Sequence, residues 1–392
     1  MLFLPGFLGG RRARVISLSV LAGIAAGIAA AILAAALHVG ARAVIGRFVE
    51  LGGAEVLRLD VAILLLPALG GLLSGLIVQA IARLPVQQGT DQMVLAFHRY
   101  NGELPLRGPA VRAAAAVGVI SFGGSAGPEG PIAGLGAAIG STVGGTLRLT
   151  PRERRALLIA GCAAGVGAIF HCPLGGALFA TSVLYRRPEF EGSALVPAFV
   201  ASAVGYVTFA SLSGSSAYLL PGAQSLTLES AFEVPVYVAL GLACGAAAAL
   251  FGASYRRVEA FFAARERLPL WLRPALGGLV TGAIACVLPQ VMDGEYLMIQ
   301  NALSGDLFRG EEVARGAFAW AALLAAIVVA KCVATSFTVG SGGAGGVLGP
   351  SLFLGGVVGA SLGALLQGAL PESASEQLRQ ALIPAGDRKS VV

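Results

Sequence analysis

One carboxylate lies within a long apolar part of the sequence, where burying an ionisable side chain costs free energy. Glu129 follows a glycine-rich stretch that begins at Gly124, passes through Gly127 and ends in Gly130-Pro131 before an apolar segment. Because proline is favoured in the first turn of a helix, this pattern predicts an irregular loop leading into a helix N-terminus. Free amides and the helix dipole attract anions there. An ionised Glu129 would compete with a substrate anion for these amides, and a protonated Glu129 would leave them, so that the side chain acts as a gate. The alternative is that Glu129 only caps the helix.

A second stretch of the same kind lies 219 residues further along the chain. Its Gly346, Val347, Leu348 and Pro350 take the places of residues 127, 128, 129 and 131. The shared glycines and Gly-Pro pair indicate two homologous halves, as in transporters built from repeats. Two such helix starts, converging near the bilayer midplane, would form an anion site without a cationic side chain. The alternative is that the glycines only permit close helix crossing.

Composition indicates an all-α polytopic membrane protein. Of the 392 residues, 56% are hydrophobic and 12% charged, about half the charged fraction of a soluble domain. Segments 15–38, 61–82, 271–288 and 317–339 are long enough to span a bilayer. The net charge of +6 comes from arginines between apolar spans, which is typical of loop anchoring and predicts a lipid rather than a nucleic-acid environment. No cysteine or histidine spacing indicates a metal, and no cofactor is expected.

The repeat predicts how the chain is divided. We expect a cytoplasmic segment over 1–14, a first membrane repeat over 15–211, a linker over 212–232 and an incomplete second repeat over 233–370. If the halves are equal, the second would end near residue 429, so the polar tail over 371–392 predicts a truncated reading frame. Residues 387–392 match the translation of a common sequencing adapter, and we expect them to be artefactual; a natural polar tail is the alternative.

Several segments resemble the CLC chloride channel and transporter family. Residues 124–140 are similar to its GxxGREGP segment, with Pro128 in place of the usual Arg. Residues 331–350 are similar to its K-ATxxTxGSGGxGGxFxP segment, with Leu348 in place of Phe. Further similarity lies at 170–179 (FHCPLGGALF), 195–202 and 271–278, so the resemblance runs from about residue 15 to about 370.

The resemblance implies a homodimer with one anion pathway per subunit, each built from two inverted halves of tilted, often half-length helices. Glu129 matches the gating glutamate, and the backbone amides of Val347 and Leu348 match groups that hold the central anion. Gln88 takes the place of the selectivity residue, commonly Ser or Pro. The expected environment is a bacterial-type plasma membrane, which the protein crosses several times.

The resemblance also implies where a proton would pass. Proton-coupled members carry an inward glutamate at the position of Val183, and the neighbouring Ser182 is no carboxylate either. We therefore expect channel-like anion passage, with chloride as the default substrate, rather than enzymatic activity. The alternatives are a chloride or fluoride antiporter with another proton route, a non-transporting degenerate protein, and an intramembrane hydrolase using Ser125 and His171, for which no Gly-x-Ser-x-Gly elbow is present.

Overall fold

The computed structural model describes residues 10–46, 56–84, 89–185, 191–214, 234–292 and 317–366, and these are almost entirely helical. Two π-helical turns, Arg42–Gly46 and Leu76–Ile81, extend the first two helices, and a short 3-10 helix forms at Pro289–Met292. The α-helices of these ranges are α1 (Arg11–Ala41), α2 (Val56–Gly75), α3 (Gly89–Arg99), α4 (Arg107–Ser121), α5 (Glu129–Thr146), α6 (Pro151–Ile169), α7 (Pro173–Ser182), α8 (Gly192–Ser213), α9 (Val234–Ala263), α10 (Arg273–Ala285), α11 (Ala317–Gly340) and α12 (Leu348–Leu366).

The described helices differ widely in length, from 10 to 31 residues. Among the described residues, six segments are long and apolar enough to span a membrane: they lie in α8, α9, α11 and α12, and in α1 and α2 with their π-helical extensions. In contrast, α3, α7 and α10 have 11, 10 and 13 residues, which is about 15–20 Å and well short of a hydrocarbon core. The predicted span over 271–288 is therefore wrong. Pro274 sits in the first turn of α10, and the helix ends before Pro289, which cannot continue it.

One compact unit contains the described residues of 10–40, 82–117 and 128–214. Its core lies among α3, α5, α6, α7 and α8 and includes Met93, Ile159 and Val166. Close contact between α5 and α6 depends on glycine: a Cβ added at Gly161 would come 2.1 Å from the carbonyl oxygen of Gly136. In lipid, where the hydrophobic effect does not bring helices together, such close approach maximises packing.

The other compact unit contains the described residues of 41–81, 118–127 and 234–366. Within it, α2 and α10 cross with reciprocal glycine contacts. A Cβ at Gly71 would come 2.1 Å from Pro274 O, and one at Gly278 would come 2.1 Å from Pro67 O. Each residue differs from its counterpart by 207 positions, and the segments are PALGGLLSG (67–75) and PALGGLVTG (274–282). Such reciprocity is what a local two-fold relation between inverted halves produces.

These units are not the two sequence halves, because α4 begins in the first unit and its last residues belong to the second. The boundaries 15–211 and 233–370 therefore remain predictions. The segment 1–9, most of the linker (215–233) and the tail (367–392) lie outside the described residues.

Candidate functional site

The first glycine-rich stretch is a loop between two helices, α4 and α5. Gly123 has a φ of +81°, a conformation that favours glycine, and its N–H donates to Ile120 O at 2.9 Å. Glu129 is the first residue of α5 and is 2% exposed. Ile132 N–H donates to Pro128 O at 3.0 Å, and the N–H groups that precede it at the helix start have no acceptor within the helix.

The second stretch repeats the turn and the helix start of the first at the offset of 219. Gly342 has a φ of +101°, and its N–H donates to Val339 O at 3.0 Å. Leu348 is the first residue of α12, and Ser351 N–H donates to Val347 O at 3.0 Å. Pro131 and Pro350 are the third residues of α5 and α12, so each helix begins two residues before its Gly-Pro proline. The predicted loop-to-helix transition is thus present in both halves.

A pair of backbone hydrogen bonds joins the two loops at equivalent residues. Gly127 N–H donates to Gly346 O at 2.9 Å, and Gly346 N–H donates to Gly127 O at 2.7 Å. Among the described residues this antiparallel bridge is the only strand-like pairing. Because a residue and its own repeat counterpart exchange the same bond, a local two-fold axis passes between Gly127 and Gly346, as inverted halves require.

Two helix starts adjoin beside Glu129 within the first compact unit. α3 begins at Gly89, where an added Cβ would come 2.3 Å from the carbonyl oxygen of Gly130 in α5. A Cβ at Gly134, one turn further along α5, would come 2.9 Å from Gly89 Cα. The N-terminal ends of α3 and α5 therefore meet at Gly89, and each presents amides and a positive dipole end. Gln88, the expected selectivity residue, lies outside the described residues.

The remaining predicted positions differ in exposure. Gly124, Gly127, Gly130 and Gly346 are buried. Val347 is 37% exposed, and Leu348 is partly exposed. They lead into α12 in the same way that Pro128 and Glu129 lead into α5. The first residue of α12 is apolar, whereas the first residue of α5 is a carboxylate. The two loops therefore share a backbone but differ in the group that could titrate.

Val183 is the C-cap of α7, and its N–H donates to Phe179 O at 2.9 Å. Its side chain packs against the apolar core of the first compact unit. Titratable groups that the sequence analysis did not identify lie beside it. His98 Nε2 is 2.9 Å from Leu184 O, and Tyr185 Oη donates to Glu191 Oε2 at 2.8 Å.

Glu191 is held ionised at this position. The hydrogen bond from Ser193 Oγ (2.6 Å) lowers its pKa, and the bond from Tyr185 adds to the effect against the opposing contribution of partial burial. The His98 and Tyr185 rings meet edge to face at 5.7 Å. His98 is far in sequence from residues 185 and 191, so no local motif links the three.

Buried hydroxyl groups surround the loops of the second compact unit. Ser125 Oγ shares a hydrogen bond of 2.8 Å with Thr335 Oγ1, and Ser125 N–H donates to Thr338 Oγ1 at 3.2 Å. The hydroxyl proposed as a nucleophile is thus engaged with a threonine of α11. His171, its proposed base, packs against Phe209 at 5.3 Å between ring centroids.

Comparison with known proteins agrees with this architecture. The family described as voltage gated chloride channel matches residues 70–386. The ClcB-like chloride channel protein of Ralstonia nicotianae is 31% identical over 328 residues, which cover 82% of this chain and 72% of that protein.

Two solved structures share the fold. A slow cyanobacterial Cl⁻/H⁺ antiporter has a TM-score of 0.73 at 17% identity, covering 96% of this chain and 93% of its own. A CLC-type fluoride/proton antiporter has a TM-score of 0.70 at 24% identity, and the match covers 95% of this chain and 87% of the antiporter chain. The chain therefore belongs to the CLC family of multi-pass integral membrane proteins that transport anions.

Proposed function

We propose that this protein conducts small anions passively, with chloride as the default substrate, through a pathway gated by Glu129. The observation that carries the proposal is the meeting of the N-terminal ends of α3 and α5 at Gly89 and Gly130, with the buried Glu129 at the first position of α5. Amides at such ends stabilise an anion without a cationic side chain.

Glu129 supplies the gate because its carboxylate is itself an anion. In the ionised form it competes with chloride for the helix-end amides, and in the protonated form it no longer does. An ionisable group inside a membrane protein is expensive to maintain, which favours a working role over a structural one. The equivalent residue of the other half, Leu348, starts α12 without a carboxylate, so helix initiation alone does not require one.

Val183 supports passive conduction over exchange. The resemblance places a carboxylate of proton-coupled exchangers at this position, and valine cannot bind a proton. The Val183 side chain packs against the apolar core of the first compact unit and offers no polar group of its own.

Proton-coupled antiport is the second candidate, and one observation favours it. His98, Tyr185 and Glu191 lie beside Val183 and could carry protons where valine does not. The two solved structures named above are also antiporters of chloride and of fluoride. Under this alternative, anion movement down its gradient would drive protons uphill.

The resemblance to the family also supports a homodimer in the membrane, with a separate pathway in each subunit. Mass measurement of the purified protein in detergent would test this: we expect two chains per particle, and a mass of one chain would contradict it.

Chloride efflux from proteoliposomes at graded external pH tests the gate. We expect efflux by the unmodified protein to rise as the pH falls, because protonation removes the competing carboxylate. Glu129→Gln should keep efflux high with little pH dependence. Glu103→Gln removes an exposed carboxylate (65% exposed) and serves as the control. A Glu129→Gln protein with the pH profile of the unmodified one would contradict the gate, and an inactive unmodified protein would favour the non-transporting alternative.

A further inference from the structure

Ser74 and Thr281 are a pair of buried hydroxyl residues at equivalent positions of α2 and α10. They differ by the same 207 positions that relate the crossing glycines of these helices, and both are fully buried. Each follows a shared Leu-Gly-Gly-Leu sequence, as LGGLLS and LGGLVT. Buried hydroxyl groups are generally hydrogen-bonded, and both of these bind groups of, or next to, the glycine-rich loops.

Ser74 serves the second glycine-rich loop directly. Its Oγ accepts a hydrogen bond of 3.0 Å from the N–H of Ala344. Ala344 is buried two residues before Gly346, in the loop that leads into Val347 and Leu348. The hydroxyl comes from the first half of the chain and the amide from the second, so the contact crosses between halves within one compact unit.

Thr281 serves the first glycine-rich loop through one intermediate hydroxyl. Its Oγ1 lies 3.1 Å from Ala334 O and 2.8 Å from Thr338 Oγ1. Gly277 O also lies 3.2 Å from Thr281 Oγ1, and either hydroxyl could donate in the Thr281–Thr338 pair. In both cases Thr338 Oγ1 accepts the N–H of Ser125 at 3.2 Å, because a hydroxyl oxygen has two lone pairs. Ser125 is the counterpart of Ala344 at the offset of 219.

The two contacts are therefore related by the same inverted symmetry as the helices. In each half, the amide of the residue two positions before the bridging glycine is bound to a hydroxyl group. That group belongs to, or relays to, α2 or α10 of the opposite half. The second loop has a direct bond, whereas the first has a relay through Thr338, supplemented by the bond between Ser125 Oγ and Thr335 Oγ1 at 2.8 Å.

We propose that Ser74 and Thr281 are positioning residues, each of which holds the glycine-rich loop of the opposite half in the geometry that transport needs. This inference rests on the proposed function for its transport consequences. Ser74 fixes the loop that presents the amides of Val347 and Leu348, and so sets the apparent affinity for chloride. Thr281 fixes the loop that leads into Glu129, and so sets the pH at which the gate opens.

Amide hydrogen exchange of the full chain in detergent tests the contacts independently of transport. Ser74→Ala should raise exchange in residues 341–347 by about ten-fold, because a buried amide loses its acceptor, and should leave 122–127 unchanged. Thr281→Val should do the reverse. Ser336→Ala is the matched control, since this buried hydroxyl lies between Thr335 and Thr338 but bonds Cys332 O of its own helix at 2.6 Å. Ser74→Thr and Thr281→Ser keep a hydroxyl group and should therefore keep the amides protected from exchange.

Chloride efflux of the same variants tests the consequences. Ser74→Ala should weaken the apparent chloride affinity several-fold with an unchanged pH profile, and Thr281→Val should shift the pH profile with an unchanged affinity. Exchange unchanged in both loops, or raised equally in both loops by either variant, would overturn the inference. If the unmodified protein carried no anion, the proposed function would fail, yet the exchange result would still decide whether these contacts hold the loops.

Discussion

Glu129 and Leu348 occupy equivalent first positions of α5 and α12, and the comparison separates folding from gating at the scale of single residues. Both loops have the same backbone turns and share the bridge between Gly127 and Gly346. The loop conformation therefore does not depend on the carboxylate. What Glu129 adds is a titratable carboxyl group at a helix start, where the proposed gate has its ionised form compete with the transported ion.

We expect Glu129→Leu to fold as well as the unmodified protein, because leucine starts the corresponding helix in the other half. The measurement is the thermal unfolding midpoint in detergent, which should change by no more than a few degrees. Gly127→Val provides the contrast, since it adds a branched side chain at the buried bridge and should lower the midpoint clearly. A large loss of stability in Glu129→Leu would show that the carboxylate is structural.

Glu153 is a second buried carboxylate with a different role. It is 2% exposed in the first turn of α6, and it accepts hydrogen bonds from the backbone and side chain of Thr150 and from Arg14. Burial alone would raise its pKa, but these hydrogen bonds outweigh burial and lower the pKa to about 2. This is a helix-start contact that ties α6 to the beginning of α1.

Replacing Glu153 with Gln should destabilise the protein in a pH-dependent way. Because the pKa in the folded state lies below that of the unfolded chain, the stabilisation is complete above about pH 4.5 and is lost as the pH falls toward 2. We expect a loss of roughly 2 kcal/mol at neutral pH, with Arg14 half-exposed and partly screened. Thermal midpoints measured from pH 7 to pH 2.5 should converge for the two proteins; a constant difference would contradict the assignment.

At the scale of elements, the crossing of α2 and α10 brings two backbones into direct contact. Gly71, Gly278 and Gly282 would each place an added Cβ 2.1 Å from a backbone carbonyl oxygen of the other helix, and Gly75 would place one 2.0 Å from Trp271 O, just before α10. Backbone atoms cannot move aside as a flexible side chain does, so any larger residue must push the helices apart.

Gly71→Ala and Gly278→Ala should therefore lower stability by similar amounts, about 1–3 kcal/mol each. The equality follows from the reciprocal contacts, since each Cβ meets the equivalent carbonyl of the other helix. Thermal unfolding of the two variants in detergent measures it. Gly245→Ala in α9 is the control, because an added Cβ there meets nothing within 4 Å. Clearly unequal losses would contradict the local two-fold relation.

Sequence reasoning located the repeated loops and Glu129 but not the elements that hold them. The repeat at 219 was visible because Gly-Pro motifs are local and their spacing is fixed. The PALGGL repeat of α2 and α10 lies at 207, so a comparison at one offset misses it. The connection between the repeated elements is twelve residues longer in the second half. A search allowing a change of offset would have found it, and with it Ser74 and Thr281.

Contacts between residues that are distant in sequence could not be predicted, for a different reason. Ser125, Thr281 and Thr338 have ordinary helix or loop surroundings, and only the folded chain brings their hydroxyls together. The length of α10 was also misjudged, because the apolar run continues to Leu288 while proline limits the helix. Apolar composition reports the environment of a segment, and helix length depends on where its backbone can continue.

At the scale of the whole molecule, this chain has the CLC fold and is an anion-transporting membrane protein of that family. The family contains both channels and antiporters. Whether anion transport is coupled to protons therefore depends on the residues of this chain. Glu129 is present at the proposed gate, whereas at Val183, the position where the resemblance places the second carboxylate of proton-coupled members, this chain has none. Loss of that group predicts anion passage without a matching movement of protons.

Simultaneous recording of chloride efflux and external pH from proteoliposomes is the most direct measurement of this claim. An outward chloride gradient is imposed, and the unmodified protein is compared with Glu129→Gln. We expect chloride to leave without proton movement in fixed proportion, with a pH dependence that Glu129→Gln removes. Protons driven against their gradient in fixed ratio to chloride, and abolished by Glu129→Gln, would contradict passive conduction and identify an antiporter.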